Sequence, residues 1–285
     1  MAPTRRAPNG QDGTVDRVID SPANPRVRAA MGLRERRERE ATGRTLVDGA
    51  RESRRAIEAG VNVVEAFICQ SLIDSDDGTR AVELVDGLPA RVRVDLSERA
   101  FERLAYGDRA DGIVLVVSTP ATRLADLVLP ANPLVVVTED VEKPGNVGAI
   151  LRSADAVGAS AVIAVGGTDL FNPNVIRASI GTIFRVPLAT GTAREVIDWL
   201  LGAGVRVVAS RVDAATLHVD ADLKGAVALV LGSEASGLAD VWHSPTVEGV
   251  RLPMLGAADS LNVSAAAAVL LYEAWRQRRD PAESA

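Results

Sequence analysis

The chain has 285 residues, 47% hydrophobic and 25% charged, with a net charge of −6, which fits one large or two ordinary globular domains and argues against a chain basic throughout. No apolar stretch approaches the roughly 20 residues that span a bilayer, and the amino terminus lacks the apolar core of a secretion signal, so a cytoplasmic location without a membrane partner is expected. One cysteine, Cys69, excludes an intramolecular disulfide, and with only His218 and His243 beside it no structural zinc site forms; no metal is expected.

In chain order, the first dozen residues and the last five read as frayed tails. Asn24-Pro25 opens an Arg-rich helix over 27–42, followed by strands at 45–47 and 63–69 with a helix over 50–59 between them. Cys69, in the second of these apolar runs, reads as a small buried hydrophobe. A short strand at 91–95, a helix capped by Ser97 and running through Leu104, and an apolar strand at 113–117 complete a mixed α/β unit. From Arg26 to Arg55 ten arginines stand against five acidic residues, whereas from Asn132 onward there are twelve basic and seventeen acidic residues. A cationic face suited to a phosphate backbone therefore belongs to the first half, although a solvated helix of mixed charge at 35–40 explains the same residues.

Prolines at 120, 130 and 133 mark an interdomain linker over 119–132. Beyond it, strands at 134–138, 161–165, 205–209, 226–231 and 250–253 alternate with helices at 146–157, 173–181, 193–203 and 262–278. Each strand is a continuous apolar run, the pattern of a buried parallel sheet.

Three segments at the strand exits carry the chemistry, since an open α/β sheet places its ligand-binding turns there. In the first, Gly145-Asn146-Val147-Gly148 lacks the last glycine of a dinucleotide fingerprint, and Ala149 and Ile150 stand where a phosphate-cradling loop needs Lys and Ser or Thr. A nicotinamide-dependent oxidoreductase is disfavoured on that ground. What remains is Asn146 at a helix start, a good cap in isolation, and Arg152 about two turns further on. In the second, the run 227–231 enters the tight turn Gly232-Ser233-Glu234, where a glycine lets a ligand approach the backbone and a carboxylate can organise loop amides. In the third, Leu252-Pro253-Met254 precedes Ser260-Leu261-Asn262 and a terminal helix capped by Ser260 or Asn262, whose alanines at 265–268 allow close packing.

In this order and spacing the segments resemble the SpoU family of RNA ribose 2′-O-methyltransferases, in the knotted SPOUT superfamily, and the resemblance runs from Ser21 to Arg278. It implies a trefoil-knotted methyltransferase domain with a parallel sheet over 133–285, preceded by a small ribosomal-protein-like α/β RNA-binding domain over 14–118, in which Asp48-Gly49 replaces a frequent Glu-Gly pair. It further implies S-adenosylmethionine as cofactor, held by Gly232, Leu252, Met254, Leu261 and Asn262, and an active site of Asn146, Arg152, Glu234 and Asn262. RNA contacts fall on Arg26, Arg28, Arg37 and Arg177, the last in a family stretch with Ser179 and Gly181. Members act as homodimers through the C-terminal domain, which fits the apolar residues around the last helix, although core packing explains that helix equally well. The two-domain layout resembles ribosomal RNA enzymes, and most the antibiotic-resistance methyltransferases of the avilamycin or thiostrepton type acting on 23S RNA. A housekeeping tRNA or rRNA methyltransferase is the alternative. A non-catalytic RNA-binding module of the same fold predicts a broken motif, and the four polar residues together count against it.

Overall fold

The computed structural model describes residues 18–105, 111–233 and 237–279. The expected terminal tails and Glu234 lie outside the described residues.

The amino-terminal part runs through α1 (Pro25–Gly32), α2 (Arg36–Thr42), β1 (Arg44–Asp48), α3 (Ala50–Glu58), β2 (Val63–Ile68), α4 (Asp76–Asp86), β3 (Arg93–Asp95), α5 (Glu98–Leu104) and β4 (Ile113–Ser118). Its sheet has the order β1-β4-β2-β3, with β4 antiparallel to both neighbours and β3 parallel to β2. Asn24 caps α1 by accepting from Arg26 N at 2.8 Å, and Pro25 fills the first helical position, where a missing N–H costs nothing.

The single helix expected over 27–42 is two. The chain turns at Leu33, which is buried, and Arg39 reaches back to donate to the carbonyls of Leu33 and Arg34 at 2.9 and 2.7 Å. Those carbonyls belong to the break and would otherwise lack partners. The helix α4 was not expected; Ser75 caps it by accepting from Gly78 N, and Ala81, Val82 and Val85 bury its inner face.

The second part continues with β5 (Leu134–Glu139), α6 (Pro144–Ala156), β6 (Ala161–Val165), α7 (Pro173–Ala178), β7 (Leu188–Gly191), α8 (Ala193–Gly202), β8 (Arg206–Ser210), β9 (Thr216–Leu217), β10 (Val227–Leu231), β11 (Val247–Arg251) and α9 (Val263–Arg278). These strands form one parallel sheet in the order β7-β6-β5-β10-β8-β11-β9. Its strands are covered on both faces. Val135, Val137, Ile163 and Val230 pack with Leu200 and Trp242 on one side, while Val136, Val162 and Leu229 pack with Ile150 and Leu270 on the other. Four of the expected strands match within a residue at each end, but the last lies at 247–251 rather than 250–253, and β7 and β9 were missed. The expected helix over 173–181 stops at Ala178, because Ile180 and Gly181 take left-handed φ values of 51° and 78°.

The two sheets share one apolar cluster, in which Val47, Ile113 and Leu115 join Val136, Ile150 and Ile176. Polar contacts reinforce the junction. Arg39 pairs with Asp169, Thr45 Oγ1 donates to Phe171 O at 2.7 Å, and Arg55 Nη1 donates to Ile180 O at 2.7 Å. The expected linker segment runs beside β7, with Thr190 N donating to Thr122 O at 2.8 Å. No helix among the described residues is long and apolar enough to cross a membrane.

At the other end, Gln277 of α9 clips the loop before β10, accepting from Leu223 N at 2.8 Å and donating to Ala221 O at 3.0 Å. Its Nε2 also donates to Glu273 at 2.7 Å, and Arg276 donates to the same carboxylate at 2.7 and 2.8 Å. The Arg276 hydrogen bonds, helped by Gln277, lower the Glu273 carboxyl from 4.5 to about 2. A carboxylate so depressed stabilises the fold above its unfolded value and loses that contribution as pH falls through the folded one. Glu273→Gln is therefore expected to unfold at lower urea concentration than the parent at pH 7, with the gap closing between about pH 4.5 and pH 2. A gap independent of pH would contradict this.

Candidate active site

The C-terminal ends of β5, β8, β10 and β11 lie on one edge of the parallel sheet, so the turns that leave them meet there. The turns after β8, β10 and β11, with the start of α9, enclose a cleft of about 480 Å³, within the usual range for a small-molecule site. Gly232, Leu252, Met254 and Leu261, four of the residues expected to hold the cofactor, line it, and Leu231 and Leu238 add to its apolar wall. Gly232 has no room for a side chain, since a Cβ there would meet the Gly237 carbonyl carbon at 2.5 Å and Leu238 Cγ at 2.9 Å. The turn is thereby drawn tight against the segment that follows it.

Asn262 sits at the lip, between the lining residues Leu261 and Val263. It is the N-cap of α9, its Oδ1 accepting from Ser264 N at 3.0 Å, which settles the choice between Ser260 and Asn262. Its Nδ2 donates to Asn146 Oδ1 at 3.1 Å, joining two of the four expected active-site residues from segments 116 positions apart. Asn146 does not cap its helix. Pro144 opens α6 after Lys143, and Asn146 lies in the first turn, half-buried. Its side chain is thus left for Asn262. Arg152 projects from α6 exposed, and it makes no hydrogen bond or ion pair with another described residue.

Two helices meet closely behind this pair. A Cβ on Gly148 of α6 would meet backbone atoms of Ala178 and Ser179 at 2.6 and 2.7 Å, so a glycine is required there. The contact presses the end of α7 onto α6. Ser179 is wholly buried and donates from Oγ to Ile176 O at 2.8 Å, a packing role.

The proposed RNA contacts are distributed unevenly. Arg28 and Arg37 are exposed on α1 and α2 with no ion pair to a described residue, while Arg26 is paired with Glu65 at 2.6 Å. Arg177 is half-buried at the junction of the two sheets, 3.7 Å from the buried Asp48 carboxylate.

Sequence reasoning missed Glu139 and Arg211. Glu139 ends β5, is almost fully buried, and accepts from Ala239 N at 2.7 Å and Trp242 Nε1 at 2.9 Å, so it ties down the segment that walls the cleft. Arg211 lines the cleft with Asp213 and His243. An acidic residue closing an apolar strand was the available signal for Glu139; nothing in the order of residues marks Arg211. A cleft lined by leucines together with Arg211, Asp213 and Asp259 suits a ligand that carries both apolar and charged groups.

The architecture defines a parallel α/β unit with a ligand-sized cleft, joined through a shared apolar cluster to a small mixed-sheet unit. A model of the SpoU rRNA methylase family matches residues 133–272, and one of the MRM3-like substrate binding domain matches residues 24–115. The chain is 36% identical over 176 residues to the 23S rRNA (uridine(2479)-2′-O)-methyltransferase of Streptomyces viridochromogenes, a match that covers 58% of this chain and 60% of that protein. It is 28% identical over 255 residues to the 23S rRNA (guanosine(2553)-2′-O)-methyltransferase RlmP of Bacillus subtilis, covering 89% and 97% of the two chains. Among solved structures, the SpoU methyltransferase AviRb from Streptomyces viridochromogenes, in complex with the cofactor AdoMet, superposes with a TM-score of 0.80 at 30% identity, over 89% of this chain and 98% of that one. The chain belongs to the SpoU rRNA methylase family and is an RNA methyltransferase.

Glu139→Ala is expected to cost about 2–4 kcal/mol in urea unfolding, because the buried Trp242 Nε1 and the Ala239 N–H both lose their acceptor. An unchanged midpoint would show that the wall of the cleft stands without it.

Proposed function

We propose that the protein methylates a ribose 2′-hydroxyl of 23S ribosomal RNA, with S-adenosylmethionine as methyl donor. The observation that carries this reading is the Asn262–Asn146 hydrogen bond at the lip of the cleft, which joins the first and third motif segments beside the lining residues expected to hold the cofactor. Gly232, Leu252, Met254 and Leu261 would hold the adenosine part, with Asn262 at its edge. When bound, the cofactor supplies a methyl group already activated on a sulfonium.

The chain's own residues have two tasks, to orient the ribose and to lower the cost of a developing 2′-alkoxide. Asn146 and Asn262 fix each other and offer amide groups at the lip. Arg152 is a poor proton acceptor, since a free guanidinium has a pKa above about 12. Its role is to hold a phosphate and stabilise the alkoxide, and its exposure and lack of a partner among the described residues support that assignment. Glu234, the fourth residue that the resemblance assigns to the active site, lies outside the described residues.

The fold reading includes a trefoil knot: β10 lies at the centre of the sheet between β5 and β8, and α9 returns from β11 to pack across α6, which supports a chain threaded through its own loop. The division into a substrate domain over 14–118, a linker over 119–132 and a catalytic domain over 133–285 follows the two sheets. Arg28 and Arg37, exposed and without an ion pair to a described residue, offer guanidinium groups to an RNA backbone, with Arg26 and Arg177 at the margins. The setting is the cytoplasm, where ribosomal RNA is modified. The likeness to AviRb, a methyltransferase from Streptomyces viridochromogenes, is compatible with a resistance role as well as a housekeeping one.

A homodimer through the C-terminal domain is supported by α9, where Val269, Tyr272 and Trp275 are each 40–51% exposed at helical spacing. Trp275→Glu is expected to convert a dimer to monomer in sedimentation; a parent protein that is already monomeric would overturn the assembly.

The central test incubates the protein with methyl-labelled S-adenosylmethionine and, separately, large-subunit rRNA, small-subunit rRNA and bulk tRNA. Label is expected in large-subunit rRNA, falling about 100-fold or more in Arg152→Ala while the melting temperature stays unchanged. No label in any RNA or intact subunit would leave a binding module in place of the enzyme.

A further inference from the structure

Of the described residues lining the cleft, Arg211 is the only arginine or lysine. It follows β8 directly, its backbone N–H held by Val250 O at 2.8 Å. Its side chain lies across β11 at Gly249, where a Cβ would meet Arg211 Cζ and Nε at 3.0 Å. Gly249 thus leaves the guanidinium a flat seat that a larger residue would fill.

Seated so, the guanidinium makes no hydrogen bond to a described residue. Its Nε is shut off from solvent without a partner, and its one ion-pair partner, Asp213 Oδ1, stands at 3.6 Å, beyond hydrogen-bond reach. Asp213 is 61% exposed and also faces His243 Nδ1 at 3.9 Å, so solvent and a second group compete for it. A positioned guanidinium with unused donors, in a cleft whose other charged lining residues are the carboxylates Asp213 and Asp259, matches an anion with two coplanar oxygens. In S-adenosylmethionine the adenine and ribose are neutral, the sulfonium and ammonium are cationic, and the α-carboxylate alone is anionic.

We propose that Arg211 binds the α-carboxylate of the S-adenosylmethionine amino-acid tail, so that this chain selects its cofactor by the tail as well as by the adenosine. The inference rests on the cofactor reading above. In the sheet order β8 flanks β10 on the side away from β5, so Arg211 leaves the sheet on the far side of the Gly232 turn from β5, the strand that leads into α6 and Asn146.

The test is calorimetric titration of the full chain with two ligands, S-adenosylhomocysteine, which keeps the tail, and 5′-methylthioadenosine, which lacks it. Arg211→Gln is expected to weaken S-adenosylhomocysteine about 10- to 100-fold, the usual scale of a hydrogen bond to a charged group, and to leave 5′-methylthioadenosine within about twofold. Arg211→Lys, which keeps charge without the fork, is expected to fall between parent and Gln for the first ligand. Equal losses for both ligands would make Arg211 a structural residue and overturn the proposal, as would no loss for either. A parent protein that binds both ligands equally well would overturn it while leaving the cofactor reading intact; one that binds neither would remove the cofactor reading itself. Should Arg211→Gln fail to fold, Asp213→Asn serves instead: freeing the guanidinium is expected to tighten S-adenosylhomocysteine about threefold, on the scale of an exposed ion pair, with 5′-methylthioadenosine unchanged. An equal change in both would again overturn the assignment.

Discussion

A buried carboxylate sets the shape of the site. Glu139 ends β5 and reaches across to the segment after β10, taking the Ala239 N–H and the indole N–H of Trp242, which is itself fully buried. In a parallel sheet the exits of neighbouring strands are close in space but joined only through long crossovers, so nothing in the backbone ladder fixes one exit loop against another. Glu139 provides that link between β5 and β10. Its two hydrogen bonds offset the desolvation of a charge, and they hold the wall formed by Gly237 and Leu238 at the distance that Gly232 requires.

The sheet and the motif turns were legible because buried parallel strands are continuous apolar runs and because glycine and asparagine mark their exits. The failures have separate physical causes. Pro144 opens α6 two residues earlier than Asn146 suggested, since proline suits the first helical position, and Asn146 instead bonds Asn262 across the site. The split of the Arg-rich helix depends on Arg39, a residue that reads as surface charge but lies buried against Asp169. The strand β7 is half polar and β9 only two residues long, so neither carries an apolar signal; both are made by their neighbours in the sheet. Arg211 is the clearest case. Its setting depends on Gly249, 38 positions away, and on the lack of a hydrogen bond to any described residue, which no local pattern encodes.

The junction between the two sheets follows from the same economy of contacts. Apolar residues of both pack in one cluster, and each polar contact across the seam uses a different element: Arg39 on α2, Thr45 on β1, Arg55 on α3. A seam with several independent ties resists hinge motion, so Arg28 and Arg37 keep a fixed bearing on the cleft. Arg177 is drawn into this seam by Asp48, and its charge helps join the sheets as much as it could face a substrate.

One residue of that seam holds tension. Ile180 is β-branched yet sits at φ 51°, a conformation that costs such a residue about 1–3 kcal/mol. Its carbonyl is gripped by Arg55, which comes from the other sheet's helix. The bend after α7 therefore draws part of its hold from the small unit, beside the hydrogen bonds of its own segment, Ile180 N to Arg177 O at 2.9 Å and Gly181 N to Ile176 O at 3.1 Å.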